Sequence, residues 1–229
     1  MNPFDRNILA FLSNIGANSP GINQTIIALD MSYSLHLIPL VLLWWIWFRN
    51  GASAARDREI VVSTILASFA ALIAGRALAF CLPFRLRPFA NPDLGLKFPI
   101  DAATHALRTW SAFPSDHAML WFALATGIYL ASRRLGIVAL IYVALVICLP
   151  RVYLGLHHLT DILGGGVIGV AICLALNSAT LRSRVAAPIL GWVGRHEAFS
   201  HVTIFLVGFE LASQFDELRV WCGLALRHL

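Results

Sequence analysis

Two short polar signatures in this chain each sit where a charge-free segment begins or ends. One reads Phe113-Pro114-Ser115-Asp116-His117; the other reads Arg151, five residues, His157, three residues, Asp161. A histidine that attacks phosphorus forms a phosphohistidine and splits one hard displacement into two easier ones. A second histidine can protonate the leaving oxygen and then take a proton from water. Arginine forks match the oxygens of a phosphate. These residue types, gathered near one membrane face, suit phosphoryl transfer.

The second signature is the more specific. If the chain is helical from about Leu156, His157 and Asp161 form an i,i+4 pair on one face. The carboxylate would then hold one imidazole nitrogen, fix the tautomer and leave the other nitrogen as nucleophile. His158 would point about 100° away and is read as a packing or supporting group. A metal site of His157, His158 and Asp161 lacks a convincing further ligand, so neither metal nor cofactor is expected. In the first signature, Pro114 suits the first turn of a helix. The N–H groups of Ser115 and Asp116 would face an anion at the helix start, the Ser115 hydroxyl would add a hydrogen bond, and His117 would lie one turn in. Upstream, Phe84-Arg85-Leu86-Arg87-Pro88 brings two more arginines to the same interface. Arg87 is read as a phosphate clamp beside Arg151, which together supply cationic stabilisation without a metal.

The elements that must position these groups are apolar. The chain has 229 residues, 59% hydrophobic and only 13% charged, against about 25% charged in a soluble domain. Charge-free runs cover Met31–Phe48, Ile60–Gly75 (resuming after Arg76 to Phe84), Ala118–Ser132, Leu135–Pro150 and Ile162–Leu181, with a weaker run at Val202–Phe209. Crossing the hydrocarbon takes about 20 helical residues. The expectation is therefore one integral membrane domain over residues 1–229: an all-α, polytopic bundle of about six spans. Ile8, Phe11, Leu12 and Ile15 repeat at helical spacing before the first run, and predict an N-terminal amphipathic helix followed by a turn at Gly16–Gly21. That segment is short and begins with Asp5 and Arg6, so a cleaved leader is not expected. Gly164-Gly165-Gly166 with Gly169 permits close helix packing. The four cysteines (Cys81, Cys148, Cys173 and Cys222) lack metal-ligand spacing.

Arginines follow the first run (Arg49, Arg56, Arg58), the third (Arg133, Arg134) and the fifth (Arg182, Arg184, Arg195). Alternating spans put all three clusters on one side, taken as cytoplasmic. Both signatures then face the periplasm or exterior of a bacterial cytoplasmic (inner) membrane. The net charge of +5 is dispersed among loops, which excludes a nucleic-acid-binding face and fits an anionic substrate in the bilayer.

The three pieces, in this order, resemble the type 2 phosphatidic acid phosphatase superfamily, whose pattern is Lys-x6-Arg-Pro, Pro-Ser-Gly-His and Ser-Arg-x5-His-x3-Asp. The matches are Arg87-Pro88, then Pro114-Ser115 and His117, then Arg151, His157 and Asp161, within about residues 60–180. The resemblance implies His157 as nucleophile, Asp161 as its orienting partner and His117 as general acid. It further implies Arg87, Ser115 and Arg151 as phosphate ligands. Phe80 stands where the lysine belongs, with Arg85 as the candidate replacement and Arg76 a poorer one. Asp116 replaces the glycine, where its carboxylate would repel phosphate unless turned outward, and Pro150 replaces the serine. The Phe-Pro-Ser-Asp-His form, the missing lysine and the histidine-bearing loop (His105) resemble the bacitracin-resistance type of undecaprenyl pyrophosphatase.

The expected activity is hydrolysis of undecaprenyl diphosphate to undecaprenyl phosphate through a phosphohistidine, recycling the lipid carrier of cell-wall synthesis. The alternatives are a phosphatase of phosphatidic acid, phosphatidylglycerol phosphate or lipid A, a lipid phosphotransferase, and a non-catalytic lipid-phosphate binding or transport protein. The sequence gives no oligomeric state. Residues Asp216–Leu229 suggest a further interfacial helix.

Overall fold

The computed structural model describes residues 2–100 and 106–215, and these are helical with no strand among them. The loop position His105 and the tail Asp216–Leu229 lie outside the described residues. The helices are α1 (Pro3–Asn18), α2 (Pro20–Met31), α3 (Tyr33–Phe48), α4 (Ala54–Cys81) and α5 (Asp116–Ala131), followed by α6 (Arg133–Tyr153), α7 (Leu159–Leu176), α8 (Ala179–Arg195) and α9 (Glu197–Ser213).

Each apolar run falls on a helix, but among the described residues fewer than six of these helices are long and apolar enough to cross a membrane. Three helices, α4, α6 and α7, are long and apolar enough to cross a membrane. The pair α2–α3, bent by 48°, would make a fourth if it counts as one span. The shortfall has local causes. The fifth run, Ile162–Leu181, is broken at Asn177 and Ser178: α7 stops at Leu176 and a separate helix begins at Ala179. Helix α5 has 16 residues, about 24 Å, and α9 is also short.

At the N-terminus α1 continues through Gly16 to Asn18, so the expected turn shrinks to Ser19, and Pro20 opens a second helix. The inward face of α1 is Asp5, Leu9, Ser13 and Gly16. Phe11, expected on the apolar stripe, is exposed. Two of the four buried positions are thus polar, which a helix resting on lipid alone would not bury.

Helix α5 is the centre. Ala118 to Leu124 contains six residues with no exposed area, Trp121 among them, and α4, α6 and α7 pack around it. The approach of α7 depends on missing side chains: a Cβ at Gly165 would lie 2.6 Å from the Ser115 carbonyl oxygen, and one at Gly169 would lie 2.1 Å from that of Met119. Small residues admit such backbone contact in apolar surroundings. This contact sets the start of α5 beside the start of α7. The ends of α4 and α6 meet the same place, so four helix termini converge at one end of the bundle. The arginine clusters lie at the other end, where Arg182 pairs with Glu59 and Arg49 with Asp57.

Gly169→Val should therefore lower stability by about 1–3 kcal/mol, the usual cost of overpacking. Gly191→Ala, where an added Cβ meets nothing, should be neutral or stabilising by up to about 1 kcal/mol. Thermal unfolding of the two variants in detergent checks the contrast.

Candidate active site

At the convergent end lies a cavity of about 280 Å³ lined by Arg76, Arg87, Trp110, Ser111, Asp116, His117, Arg151 and His157, with apolar neighbours. Histidine 157 is not in a helix. Helix α6 widens into a π turn over Val143–Cys148 just before Pro150, a residue with no N–H for the preceding turn. The helix carries Arg151 in its last turn, and the chain then reverses through Gly155, which takes a left-handed φ of +73° and faces the Phe98 ring. The Leu156 and His157 N–H groups both donate to the Arg151 carbonyl. The loop thereby ties Arg151 and His157 together.

The expected His157–Asp161 hydrogen bond is replaced by another. Because α7 begins at Leu159 with His158 as its cap, the pair does not share a helical face, and Nδ1 of His157 is 3.8 Å from the Asp161 carboxylate. The Ala112 carbonyl oxygen lies at 2.9 Å from that nitrogen instead. A carbonyl only accepts, so Nδ1 carries the hydrogen. On the other edge Nε2 is 3.3 Å from Nη1 of Arg87, and a guanidinium only donates. Two independent neighbours thus specify one tautomer, with Nε2 unprotonated and its lone pair turned to Arg87.

Arg87 is itself clamped, donating to the carbonyls of Trp110 (3.1 Å), Leu156 (2.8 Å) and Ser111 (3.3 Å). Burial lowers its pKa to about 10, which leaves it charged at neutral pH. Burial, and then the Arg87 charge, hold His157 below the ordinary histidine value. A neutral imidazole beside a fixed cation is the form a nucleophile needs.

His117 sits in the first turn of α5, with Nδ1 3.1 Å from Asp116 Oδ1. The other oxygen of Asp116 lies 3.7 Å from Nε of Arg76. The residue expected to turn away thus lines the cavity, paired with two cationic or protonatable groups. Its adjacency to His117 was the available signal for this role. Arg151 pairs with Asp30, at the end of α2, at 3.3 Å.

Three expected site residues lie behind the cavity wall. Ser115 caps α5, its hydroxyl accepting from the Ala118 N–H at 3.3 Å and its own N–H donating to the Asp161 carbonyl. Pro114 precedes this cap and so is outside the first helical turn. Arg85 donates to the carboxylates of Asp5 and Asp161 and to Thr160. Asp161 accepts from the His158 N–H at 2.7 Å. Arg76, not Arg85, is the additional arginine of the cavity. Phe80, in the lysine's place, is 77% exposed. Sequence reasoning missed Ser111 and Trp110, which carry no chemical signature of their own.

The PAP2 superfamily profile matches residues 59–184. Among curated proteins, the putative undecaprenyl-diphosphatase YbjG of Escherichia coli (strain K12) is 33% identical over 150 residues, covering 65% of this chain and 68% of its own length. The bacitracin transport permease protein BcrC of Bacillus licheniformis is 24% identical over 168 residues, covering 72% of this chain and 74% of its own. No solved structure matches.

Arg87→Gln should lower the rate of phosphate release about 10²–10³-fold, as loss of one fixed donor does. It should also shift the pH profile. Protonation removes the His157 lone pair, so activity fails on the acid side, at a pH lower than the ordinary histidine value of about 6.5, because the His157 pKa is depressed. Removing the Arg87 charge raises the His157 pKa, so the acid limb of kcat should move to higher pH. A pH–rate profile of the variant against wild type measures both.

Proposed function

This chain belongs to the PAP2 superfamily and is a phosphatase, and on that premise we propose that it hydrolyses undecaprenyl diphosphate to undecaprenyl phosphate through a phosphohistidine on His157. The observation that carries the proposal is the His157 imidazole. Its Nδ1–H is held by the Ala112 carbonyl, and its Nε2 faces Arg87 in a cavity shared with Arg76, Arg151 and His117.

The Nε2 lone pair attacks the terminal phosphorus, and the bond from that phosphorus to the bridging oxygen breaks. His117 gives its proton to the departing oxygen. Burial and then the Arg151 charge hold its pKa well below the ordinary histidine value, and the Asp116 carboxylate on Nδ1 opposes them. The incoming phosphate supplies the further negative charge that favours the protonated ring. Water then attacks the phosphohistidine, His117 takes a proton from it, and the P–N bond breaks to release phosphate. Arg76, Arg87 and Arg151 neutralise the equatorial oxygens throughout.

The substrate proposal is supported by the name of the Escherichia coli relative, a putative undecaprenyl-diphosphatase, and by three arginines suited to a polyanionic headgroup. The position of the site at the end of the bundle opposite the arginine clusters supports a periplasmic or exterior active site in a bacterial inner membrane. In that setting the reaction would regenerate the lipid carrier for peptidoglycan synthesis.

Phosphate release in detergent from undecaprenyl diphosphate and from phosphatidic acid, with EDTA present, tests the reading. Wild type should prefer the diphosphate, and His157→Ala should lose at least about 10³-fold in kcat, as nucleophile removal does. A preference for phosphatidic acid would overturn the substrate, and a fully active His157→Ala would overturn the mechanism.

A further inference from the structure

Outside the cavity, a second charged cluster joins the first helix to the start of α7. Asp5, in the opening turn of α1, has no exposed area. One carboxylate oxygen accepts the Thr160 N–H at 3.1 Å. The other accepts the Thr160 hydroxyl at 2.6 Å and Nη2 of Arg85 at 2.8 Å. Arg85 turns its other nitrogen, Nη1, to the Asp161 carboxylate and to Thr160. One guanidinium thus bridges two fully buried carboxylates that are 156 residues apart in the chain, as 161 minus 5 gives.

The geometry points to Asp5 as a positioning residue for the phosphoryl-transfer site, acting through Arg85 and Asp161; this rests on His157 being the nucleophile. The chain of contacts is short. The Thr160 N–H is one of the orphan donors at the start of α7, and Asp5 satisfies it from another helix while placing negative charge at that terminus. Asp161, held by Arg85 on one oxygen, uses the other to hold the His158 N–H at 2.7 Å. His158 is bonded to His157 in the chain, so the loop that aims Nε2 at the cavity is fixed from behind by this bridge. An asparagine at position 5 would turn an amide toward Arg85 or Thr160 and leave the guanidinium with one carboxylate. The arginines of the cavity do not touch Asp5, so substrate capture should survive while alignment fails. Misplacement of a nucleophile by about 1 Å costs about 10²-fold.

The experiment measures kcat and KM for lipid-diphosphate hydrolysis by the full chain in detergent, for wild type, Asp5→Asn, Arg85→Lys, their double variant, and Arg6→Gln as an exposed control on the same helix. Asp5→Asn should lose 10- to 100-fold in kcat with KM within twofold, and Arg6→Gln should match wild type. Arg85→Lys keeps the charge but cannot fork to both carboxylates, and should show the same loss. The double variant should be no more than about twofold worse than Arg85→Lys alone, because both act through one bridge. Should Asp5→Asn fail to fold, Arg85→Lys carries the test. An undiminished kcat in either variant, a loss confined to KM, or additive losses would overturn the inference. His157→Ala runs alongside: release that does not depend on His157 would bring down the mechanism and this inference with it. Release that needs His157 but ignores Asp5 would overturn the inference alone.

Discussion

A buried charge must find its counter-charge, and at the convergent end of this bundle that requirement organises everything else. Asp161 and Asp5 have no exposed area, and an unpaired carboxylate so placed would cost several kcal/mol. Arg85 answers both at once, the α7 terminus answers them again with its N–H groups, and Arg87 is answered by three carbonyls. These bonds leave the His157 loop few alternatives. The tautomer and direction of the His157 imidazole follow from backbone carbonyls and guanidinium groups that are themselves fixed.

The scaffold makes this possible by close contact. Gly165 and Gly169 let α7 lie against α5 backbone to backbone, which brings the cap of α5, Ser115, and the first turn of α7, at Asp161, into hydrogen-bonding range. The same contact explains why the two signatures, 40 residues apart from His117 to His157, line one cavity. Where the cavity gains a negative group, Asp116, it is offset by Arg76 on the neighbouring helix.

What was legible in the sequence were the groups with chemical signatures at fixed spacing. Arg87, His117, Arg151 and His157 could be picked out because each abuts an apolar run, and all four line the cavity. The apolar runs marked the helices, and their loop arginines gather at the end of the bundle away from the cavity. The hydrogen-bond assignments were not legible. The spacing of His157 and Asp161 suggested a helical pair, but a helix that starts only at Leu159 hands the imidazole to Ala112, whose carbonyl has no signature at all. Arg85 and Arg76 exchanged expected places because nothing in a linear string shows that Asp5 waits behind Arg85. The number of spans was less legible: apolar composition marks burial as well as lipid contact, and α5, with 16 residues, is packed by α4, α6 and α7.

The account stands or falls on a covalent bond between Nε2 of His157 and phosphorus. The direct measurement is rapid acid-free quenching of the enzyme with lipid diphosphate labelled at its terminal phosphate, followed by peptide mapping. Label that is acid-labile, stable to alkali and confined to the peptide containing His157 is the predicted result. Turnover without any protein-bound label at the earliest times, or label on another residue, would contradict it.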